Sequence, residues 1–563
     1  MQYIFYGLLI ILALVIWSMT NQNNLRKKLK LRLKEQWGEV PEEEYSSEKF
    51  ISLKAYYLAH KDERLDVDDI TWNDLDMDEI FMLMNNTQSS IGEEYLYALL
   101  RKPCFSQEEL AERNRLMKFF SGKEEERIQL QTALNSIGKL RSISVYEYIN
   151  RLQEQTAKNN YAHYLMLVAL IASISFIFVN PTLGGICTVA MVVNNIVQYY
   201  REKANIENYL IVFSYILRLL EGVKEIYKLD ISEIKTYTDH LKQDVDQFKK
   251  FKRGASWLTS KKVSGDFYEA LMDYVRMLTH VDLIKYNSML SFLKKNRDTL
   301  NRIYTNVGIL DSMLAAASFR AYLPGFCEPE LLKTGHPGIT VTDLYHPLID
   351  EPVINSISEN RSVLLTGSNA SGKSTFIKTL AINAILAQTI YTSVSKGYKG
   401  SFFMIYSSMA LKDNLFGNES YYIVEIKSLK RILDRVNQEY PILCFIDEVL
   451  RGTNTLERIA ASSRILAALA RDNTLVFAAT HDIELTHILE DDYSNYHFQE
   501  RIENNQILFD YKLYKGKAVS KNAIKLLDMM GYPKEITASA ESAAEDFLAQ
   551  GEWRGIKSYS RLF

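Results

Sequence analysis

Hydrophobic and polar positions divide the 563-residue chain into stretches of different period. Residues 3–19 read YIFYGLLIILALVIWSM, an uncharged apolar run, and the basic string NLRKKLKLRLK follows it closely. At about 1.5 Å of rise per residue, such a run spans a hydrocarbon layer as a short helix. A secretory signal carries its positive charge before the apolar run, whereas here the charge comes after. The pattern therefore predicts an uncleaved N-terminal anchor whose basic flank stays on the cytoplasmic side. From Asn159 to Tyr200 the chain again carries no Asp, Glu, Lys or Arg. Asn180-Pro181, with Gly184-Gly185 just beyond, divides that stretch into one arm over 164–179 and a second ending near Val197. Asn-Pro is a turn signal, so the pattern predicts a transmembrane helical hairpin. The competing reading is a buried helical pair in a large core, which would ordinarily keep a polar outer face.

Elsewhere the period is different. Residues 40–155 and 201–320 carry apolar residues at helical spacing, as in IFMLMNNTQSSIGEEYLYALL and NIENYLIVFSYILRLLEGVKEIYKL. From about 335 to 500, short β-rich runs alternate with helical ones, the signature of an α/β domain.

Composition changes this picture little. With 47% hydrophobic and 24% charged residues the chain is an average globular one, which excludes wholesale disorder. Sixty-six Lys+Arg against 69 Asp+Glu give a net charge of −3, so no global positive field draws the chain onto nucleic acid. Any DNA contact must use local patches, at Arg26–Lys34 or in KKFKRGASWLTSKK (249–262) with its Trp257. The first patch also suits the flank of an anchor, and the second suits a solvated loop or anionic lipid equally well. Cys104, Cys187, Cys327 and Cys444 lie far apart with no CxxC pair, which excludes a disulfide scaffold and a cysteine zinc site.

The candidate chemistry begins at RSVLLT (361–366), an apolar strand followed by GSNASGKST (367–375) and a helical run. This is G-x-x-x-x-G-K-[ST] in its strand–loop–helix setting. Gly367, Ser368, Asn369, Ala370, Ser371, Gly372, Lys373, Ser374 and Thr375 would wrap the phosphates of a nucleotide, with backbone N–H groups and a helix N-terminus supplying positive potential. Lys373 would reach the β/γ-phosphates and Ser374 would ligate Mg2+. PILCFIDE (441–448) is an apolar strand ending in two carboxylates, and Asp447 lies 74 residues after Lys373. Asp447 would hold the Mg2+ shell and Glu448 would act as general base on the attacking water. A third strand, TLVFAAT (474–480), ends at His481, which would stand at the carboxyl edge of the sheet, where ligands bind. There it would sense the γ-phosphate or orient the water.

TGSNASGKST (366–375), NESYYIVEI (418–426), DEVLRGTNT (447–455) and ATHDIELT (479–486) together resemble the ATPase domain of the MutS family of mismatch-repair proteins. HPLIDEP (346–352) resembles a motif that precedes the family's P-loop. LDSMLAAASFRAYLPGFCEPEL (310–331) resembles the end of its lever helices, and residues 84–120 the start of its helical core. YKLYKGKAVSKNAIKLLDMMGYPKEITASA (511–540) resembles its C-terminal dimerisation segment.

The resemblance implies an α-helical core/lever domain followed by an α/β P-loop NTPase domain (an ABC-like MutS ATPase), here with about three transmembrane helices. Together with the apolar runs it divides the chain into an anchor with basic flank (1–25), the first part of the core (26–157), the transmembrane hairpin (158–200), the second part of the core and lever (201–332), the ATPase domain (333–515) and a C-terminal helical dimerisation segment (516–563). It also implies ATP and Mg2+ as ligands and a homodimer through the ATPase and C-terminal segments. Ser420 would contact the partner's γ-phosphate, and Gly452 and Thr453 would fall in a loop crossing the interface. An ABC-type ATPase is a competing P-loop reading, but no LSGGQ-like signature occurs.

The departures from the family are equally specific. Ser368, Ala370 and Ser371 stand where the family usually has Pro, Met and Gly, and Val353 stands near the place of an aromatic that faces the adenine. The resemblance leaves no room for the N-terminal mismatch-reading domains. GDFYE (265–269) matches the family's mismatch wedge, yet it leads into a helical run with no α/β domain around it. Phe267 is read there as a packing residue and Glu269 as a first-turn charge.

Two functions follow as expectations. The first is a membrane-anchored MutS-like ATPase, cytoplasmic at the cell membrane, whose ATP cycle switches a dimer's grip on mismatched or branched DNA. The alternative is an ATP-driven conformational machine in the lipid bilayer that binds no nucleic acid. A scaffold with a dead ATPase is disfavoured by the presence of Lys373, Ser374, Asp447, Glu448 and His481.

Overall fold

The computed structural model describes residues 2–141, 143–155, 159–252, 266–333, 336–368, 370–409, 421–436, 439–503, 506–518, 523–553 and 555, for some of which, mainly within 2–22, 266–272 and 501–507, the backbone alone is described. The chain forms two compact units. One comprises 1–68, 76–326 and 385–392, and the other 69–75, 327–384 and 393–563.

The first unit is helical. Its opening helix, Gln2–Glu35, contains the apolar run predicted as an anchor, most of whose side chains lie outside the described residues. The basic flank is on the same helix, with Arg26, Lys27, Lys28, Lys30 and Arg32 exposed. The core of this unit is pinned by buried carboxylates. Asp311, on the helix Arg297–Tyr322, accepts hydrogen bonds from the Gln88 and Ser89 N–H groups, each at 2.9 Å, and from Ser89 Oγ at 2.6 Å. Ser89 in turn caps the helix Ser90–Arg101 by accepting from Gly92 N–H at 3.0 Å. Only glycine fits at position 92, because a Cβ there would lie 2.1 Å from Asp311 Oδ2. Glu94, on the same helix, accepts from Ser144 Oγ and Tyr304 Oη, both at 2.9 Å, and from Val145 N–H at 2.8 Å.

The region predicted as a transmembrane hairpin folds as two helices, Tyr161–Phe176 and Pro181–Tyr227. Asn180 caps the second by accepting from Leu183 N–H at 3.1 Å, and Pro181 occupies its first turn, where no N–H is needed. Gly184 lets the arms meet, since a Cβ there would lie 2.5 Å from the Ile177 nitrogen. The second arm does not stop near Val197. It runs 47 residues, through Arg201 and on to Tyr227. The onset of charge changes what the helix faces and does not break it, because no Pro interrupts 182–227. Among the described residues one stretch, Pro181–Ala204, is long and apolar enough to cross a membrane, and Tyr161–Phe176 is apolar but shorter.

The hairpin joins its unit through polar contacts at its base. His163 and His280 meet Nδ1 to Nδ1 at 3.0 Å, and Tyr199 donates to Asp282 Oδ2 at 2.8 Å. Outward, Leu165 is 71% and Phe178 is 89% exposed, and Ile171, Ile186, Val189 and Val193 are exposed with them.

The second unit is α/β. Its strands are β1 (Glu330–Leu332), β2 (Ile339–Leu344), β3 (Asn355–Glu359), β4 (Ser362–Thr366), β5 (Gly397–Ser401), β6 (Met404–Ser408), β7 (Ile442–Asp447), β8 (Thr474–Ala479), β9 (Tyr493–Glu503) and β10 (Gln506–Lys515). They form a four-stranded sheet in the order β1-β5-β2-β3 and a six-stranded sheet in the order β10-β9-β4-β8-β7-β6. In the larger sheet β10 alone is antiparallel to its neighbour. β4, β6 and β8 are buried throughout and β7 up to Ile446, which is why they read as continuous apolar runs. The edge strand β6 is covered by a short helix, Asp69–Asp74, from within the region read as helical. Asp74 Oδ2 accepts from Ser407 Oγ at 2.6 Å and Met409 N–H at 3.0 Å, and Thr71 Oγ1 accepts from Ser407 N–H at 3.1 Å.

Burial pushes the Glu94 carboxyl up to about 8 despite its hydrogen bonds from Ser144, Tyr304 and Val145. The folded protein therefore holds this proton more tightly than the unfolded chain. The corresponding stability is full below the ordinary carboxylate value and is lost as pH rises toward 8. Thermal melts from pH 5 to pH 8 should show the wild-type midpoint falling more steeply than that of Glu94→Gln, whose amide keeps an acceptor oxygen. Parallel slopes would exclude this linkage.

Candidate functional site: a nucleotide cleft at the sheet edge

β4, β8 and β7 lie side by side, with Leu365 paired to Ala479 and Asp447 paired to Ala479. The chain thus leaves all three strands at one carboxyl edge. Two bonds fix the exits: Thr480 N–H donates to Leu365 O at 2.9 Å, and Glu448 N–H to Ala479 O at 3.0 Å.

After β4 the backbone turns through Gly367 (φ 149°), Ala370 (φ 63°) and Gly372 (φ 104°) into the helix Lys373–Thr389. A Cβ on Gly367 would lie 2.8 Å from the Phe498 carbonyl and 2.9 Å from Ser371 Oγ. Lys373 is buried, and its Nζ donates to the Gly367 and Ser368 carbonyls, both at 2.8 Å. Burial pulls its ammonium below the ordinary lysine value, although the Asp447 and Glu448 charges oppose this. Ser368 Oγ donates to Glu500 at 2.6 Å. The Ser371 hydroxyl is buried and has no hydrogen-bond partner among the described residues. Asn369 and Ser420 lie outside the described residues, as does part of GDFYE together with its side chains.

Glu448, in the left-handed region at φ 61°, points its carboxylate at His481 and Arg451. Its Oε1 is 3.0 Å from His481 Nε2, and its Oε2 is ion-paired with Arg451. Burial alone would raise this carboxyl. The His481 hydrogen bond and the Arg451 charge, with smaller help from Lys373, outweigh burial and hold it below the usual carboxylate value. His481 stands on a braced corner, because Asp482 is clasped by Arg458 through bonds of 2.9 and 2.6 Å.

These groups line one polar cleft of about 310 Å³, which contains Ala370 to Thr375, Asp447, Glu448, Arg451, His481 and Tyr511. Gly372, Thr375 and Tyr511 also line a second, more apolar cavity of about 240 Å³ with Tyr345, His346, Val353 and Phe376. The two cavities share these three lining residues, one being polar and charged and the other more apolar and aromatic. Tyr511 belongs to both because β10 is irregular between Phe509 and Leu513, and Tyr511 itself takes a left-handed φ of 53°. Neither Tyr511 nor Arg451 was singled out from the sequence. Arg451 stands in the DEVLRGTNT string and Tyr511 opens the YKLYKGKAVSK string, but neither string marks its residue as lining a cleft.

The donor set suits Mg2+, which takes few protein ligands and prefers hard oxygens. The Ser374 hydroxyl and the Asp447 carboxylate face the same cleft. Among the described residues no cluster of three His, Cys, Asp or Glu offers an all-protein metal cage.

The Gly367 turn generates a direct test. Gly367→Ala forces a side chain against the Phe498 carbonyl, and denaturant melts should show a loss of about 1–3 kcal/mol. An unchanged midpoint would mean that the turn tolerates a Cβ.

Residues 363–548 match the family model of MutS domain V. The chain is 30% identical over 212 residues to the DNA mismatch repair protein MutS of Thermus aquaticus, covering 37% of this chain and 26% of that protein. It is 28% identical over 333 residues to the human MutS protein homolog 4, covering 56% and 34%. It is 23% identical over 346 residues to the MutS of Thermotoga petrophila, covering 59% and 42%. The chain thus spans between 26% and 42% of the length of these three relatives. The P-loop, the acidic strand end and the C-terminal strand pair all lie inside the matched segment, so residues 363–548 are identified as a MutS domain V.

Proposed function

We propose that this protein is a Mg2+-dependent ATPase that works as a homodimer, is held at the cell membrane with its ATPase unit in the cytoplasm, and uses ATP to switch its grip on mismatched or branched DNA. The observation that carries the ATPase reading is the convergence of Lys373, Asp447, Glu448 and His481 on a single cleft. The names of the relatives, DNA mismatch repair protein among them, support DNA as the partner.

In this reading the triphosphate lies along 367–375 and the base enters the aromatic cavity beside Val353 and Tyr511. Lys373 leaves the Gly367 and Ser368 carbonyls for phosphate oxygens, exchanging neutral acceptors for charged ones. Mg2+, held by Ser374 and Asp447, would neutralise phosphate charge. Glu448 stays ionised at neutral pH, orients the attacking water and accepts its proton, with His481 and Arg451 fixing the carboxylate. Ser420 and the C-terminal helices Ala523–Met529 and Lys534–Gln550 are the candidate dimer contacts.

The alternative, an ATP-driven machine at the membrane without DNA, draws on the hairpin. A core helix buries its apolar side chains, yet only 17% of an 18-residue apolar window within Pro181–Ala204 is buried. Its exposed Ile, Val and Leu side chains are suited to lipid. Stimulation of ATP turnover across a panel of duplex, mismatched and junction DNAs and of lipid vesicles separates the two. DNA-stimulated turnover at low salt supports the first reading. Vesicle stimulation alone, lost on deletion of 159–200, supports the second.

For the chemistry, Lys373→Ala should abolish ATP binding in a filter assay. Glu448→Gln should bind ATP with turnover reduced by a factor of 100 or more, on the order expected for losing a general base. Unchanged turnover would remove Glu448 from that role. His481→Ala removes the main hydrogen bond that depresses the Glu448 carboxyl, so the acid limb of the pH–rate profile should move to higher pH. An unmoved limb would contradict the coupling.

A further inference from the structure

The loop that carries Glu448 is held in an expensive shape. Glu448 and Leu450 both adopt left-handed backbone angles, φ 61° and φ 59°, and neither is glycine. Each such residue costs on the order of 1 kcal/mol or more, so the turn persists only if its surroundings dictate it. On one side the sheet does so, through the bond from Glu448 N–H to Ala479 O. On the other side the tether is a side chain. The Leu450 N–H donates to Glu425 Oε1, from the helix Tyr421–Leu433. The same helix packs against the loop two residues on, where a Cβ on Gly452 would lie 3.2 Å from Tyr422 Cβ. Glu425 is half-buried and Leu450 is buried, so water competes poorly for this amide.

We infer that Glu425 is a positioning residue for hydrolysis: it touches no substrate, and by fixing the Leu450 amide it sets the turn that aims the Glu448 carboxylate toward the cleft and His481. This rests on the ATPase reading above. The role requires an acceptor oxygen at the right reach and does not require the charge. Glutamine keeps both the length and the oxygen, methionine keeps the length and helix propensity but offers no oxygen, and aspartate keeps the charge but is one methylene short.

The experiment compares Glu425→Gln, Glu425→Met and Glu425→Asp in the full chain by steady-state ATP turnover and by amide exchange of the 448–452 segment without nucleotide. The Met and Asp variants should lose roughly tenfold or more in kcat with KM for ATP within about twofold, as expected for a misaimed catalytic group. Their 448–452 amides should exchange faster, and the Gln variant should resemble wild type in both measurements. If the Met variant does not fold, the Asp variant decides. Wild-type kcat in a folded Met or Asp variant overturns the proposal, and so does a Gln variant as slow as Met. A wild-type protein with no ATP turnover at all refutes the ATPase reading instead. The exchange measurement then still decides whether Glu425 holds the turn, and unaltered exchange in the Met variant overturns it.

Discussion

The parallel register of β4, β8 and β7 is the constraint on which the rest of the second unit depends. Pairing both Leu365 and Asp447 with Ala479 brings the phosphate loop, the acidic pair and His481 out of the sheet side by side, although they are separated by many residues along the chain. That register is maintained by apolar burial. Val363, Leu364, Leu365, Leu443, Phe445, Val476 and Phe477 are fully buried, and each contributes about 1.5–3 kcal/mol by leaving water. Because both faces of these strands are buried, a slip of one residue would set each side chain against the packing of the opposite face and break the Thr480–Leu365 and Glu448–Ala479 bonds that fix the exits.

The cleft built on that edge balances its own charges. Lys373 is buried against carbonyls, and Glu448 is bracketed by His481 and Arg451. Arg458 and Asp482 brace the corner from which His481 projects. Of the nine non-glycine residues with left-handed backbone among the described residues, Ala370, Glu448 and Tyr511 line this cleft and Leu450 lies in the same turn as Glu448, while the other five lie elsewhere. At the cleft, rigid strands and helices hold these costly backbone positions where they can aim chemical groups.

Much of this was legible in the sequence, for a physical reason. A strand buried on both faces must be apolar throughout, so RSVLLT, PILCFID and TLVFAAT stood out as strands, and the glycines and acidic residues that end them marked the turns. The hairpin turn was legible because Asn180 and Pro181 form a cap by local rules. What was illegible depends on contacts distant in sequence. Nothing local to Asp74 says that its carboxylate will cap the edge of β6, and nothing local to Tyr511 says that an irregularity in β10 will turn it into the cleft. The second hairpin arm overran its expected end because charge was read as a stop, whereas a helix ends only where its backbone does. Val353 stood out as a departure, near the place of an aromatic that faces the adenine, and the aromatic lining comes instead from Tyr345, Phe376 and Tyr511, three positions that meet only in the folded unit.

The central claim is that the polar cleft and the aromatic cavity form one site for ATP. Its most direct measurement is a structure of the full chain with Mg2+ and a non-hydrolysable ATP analogue. The account predicts the triphosphate along 367–375 with Lys373 on phosphate oxygens, the metal between Ser374 and Asp447, and the base against Tyr511. Density for the nucleotide elsewhere, or a Lys373 still bonded to the Gly367 and Ser368 carbonyls with the analogue bound, would contradict it.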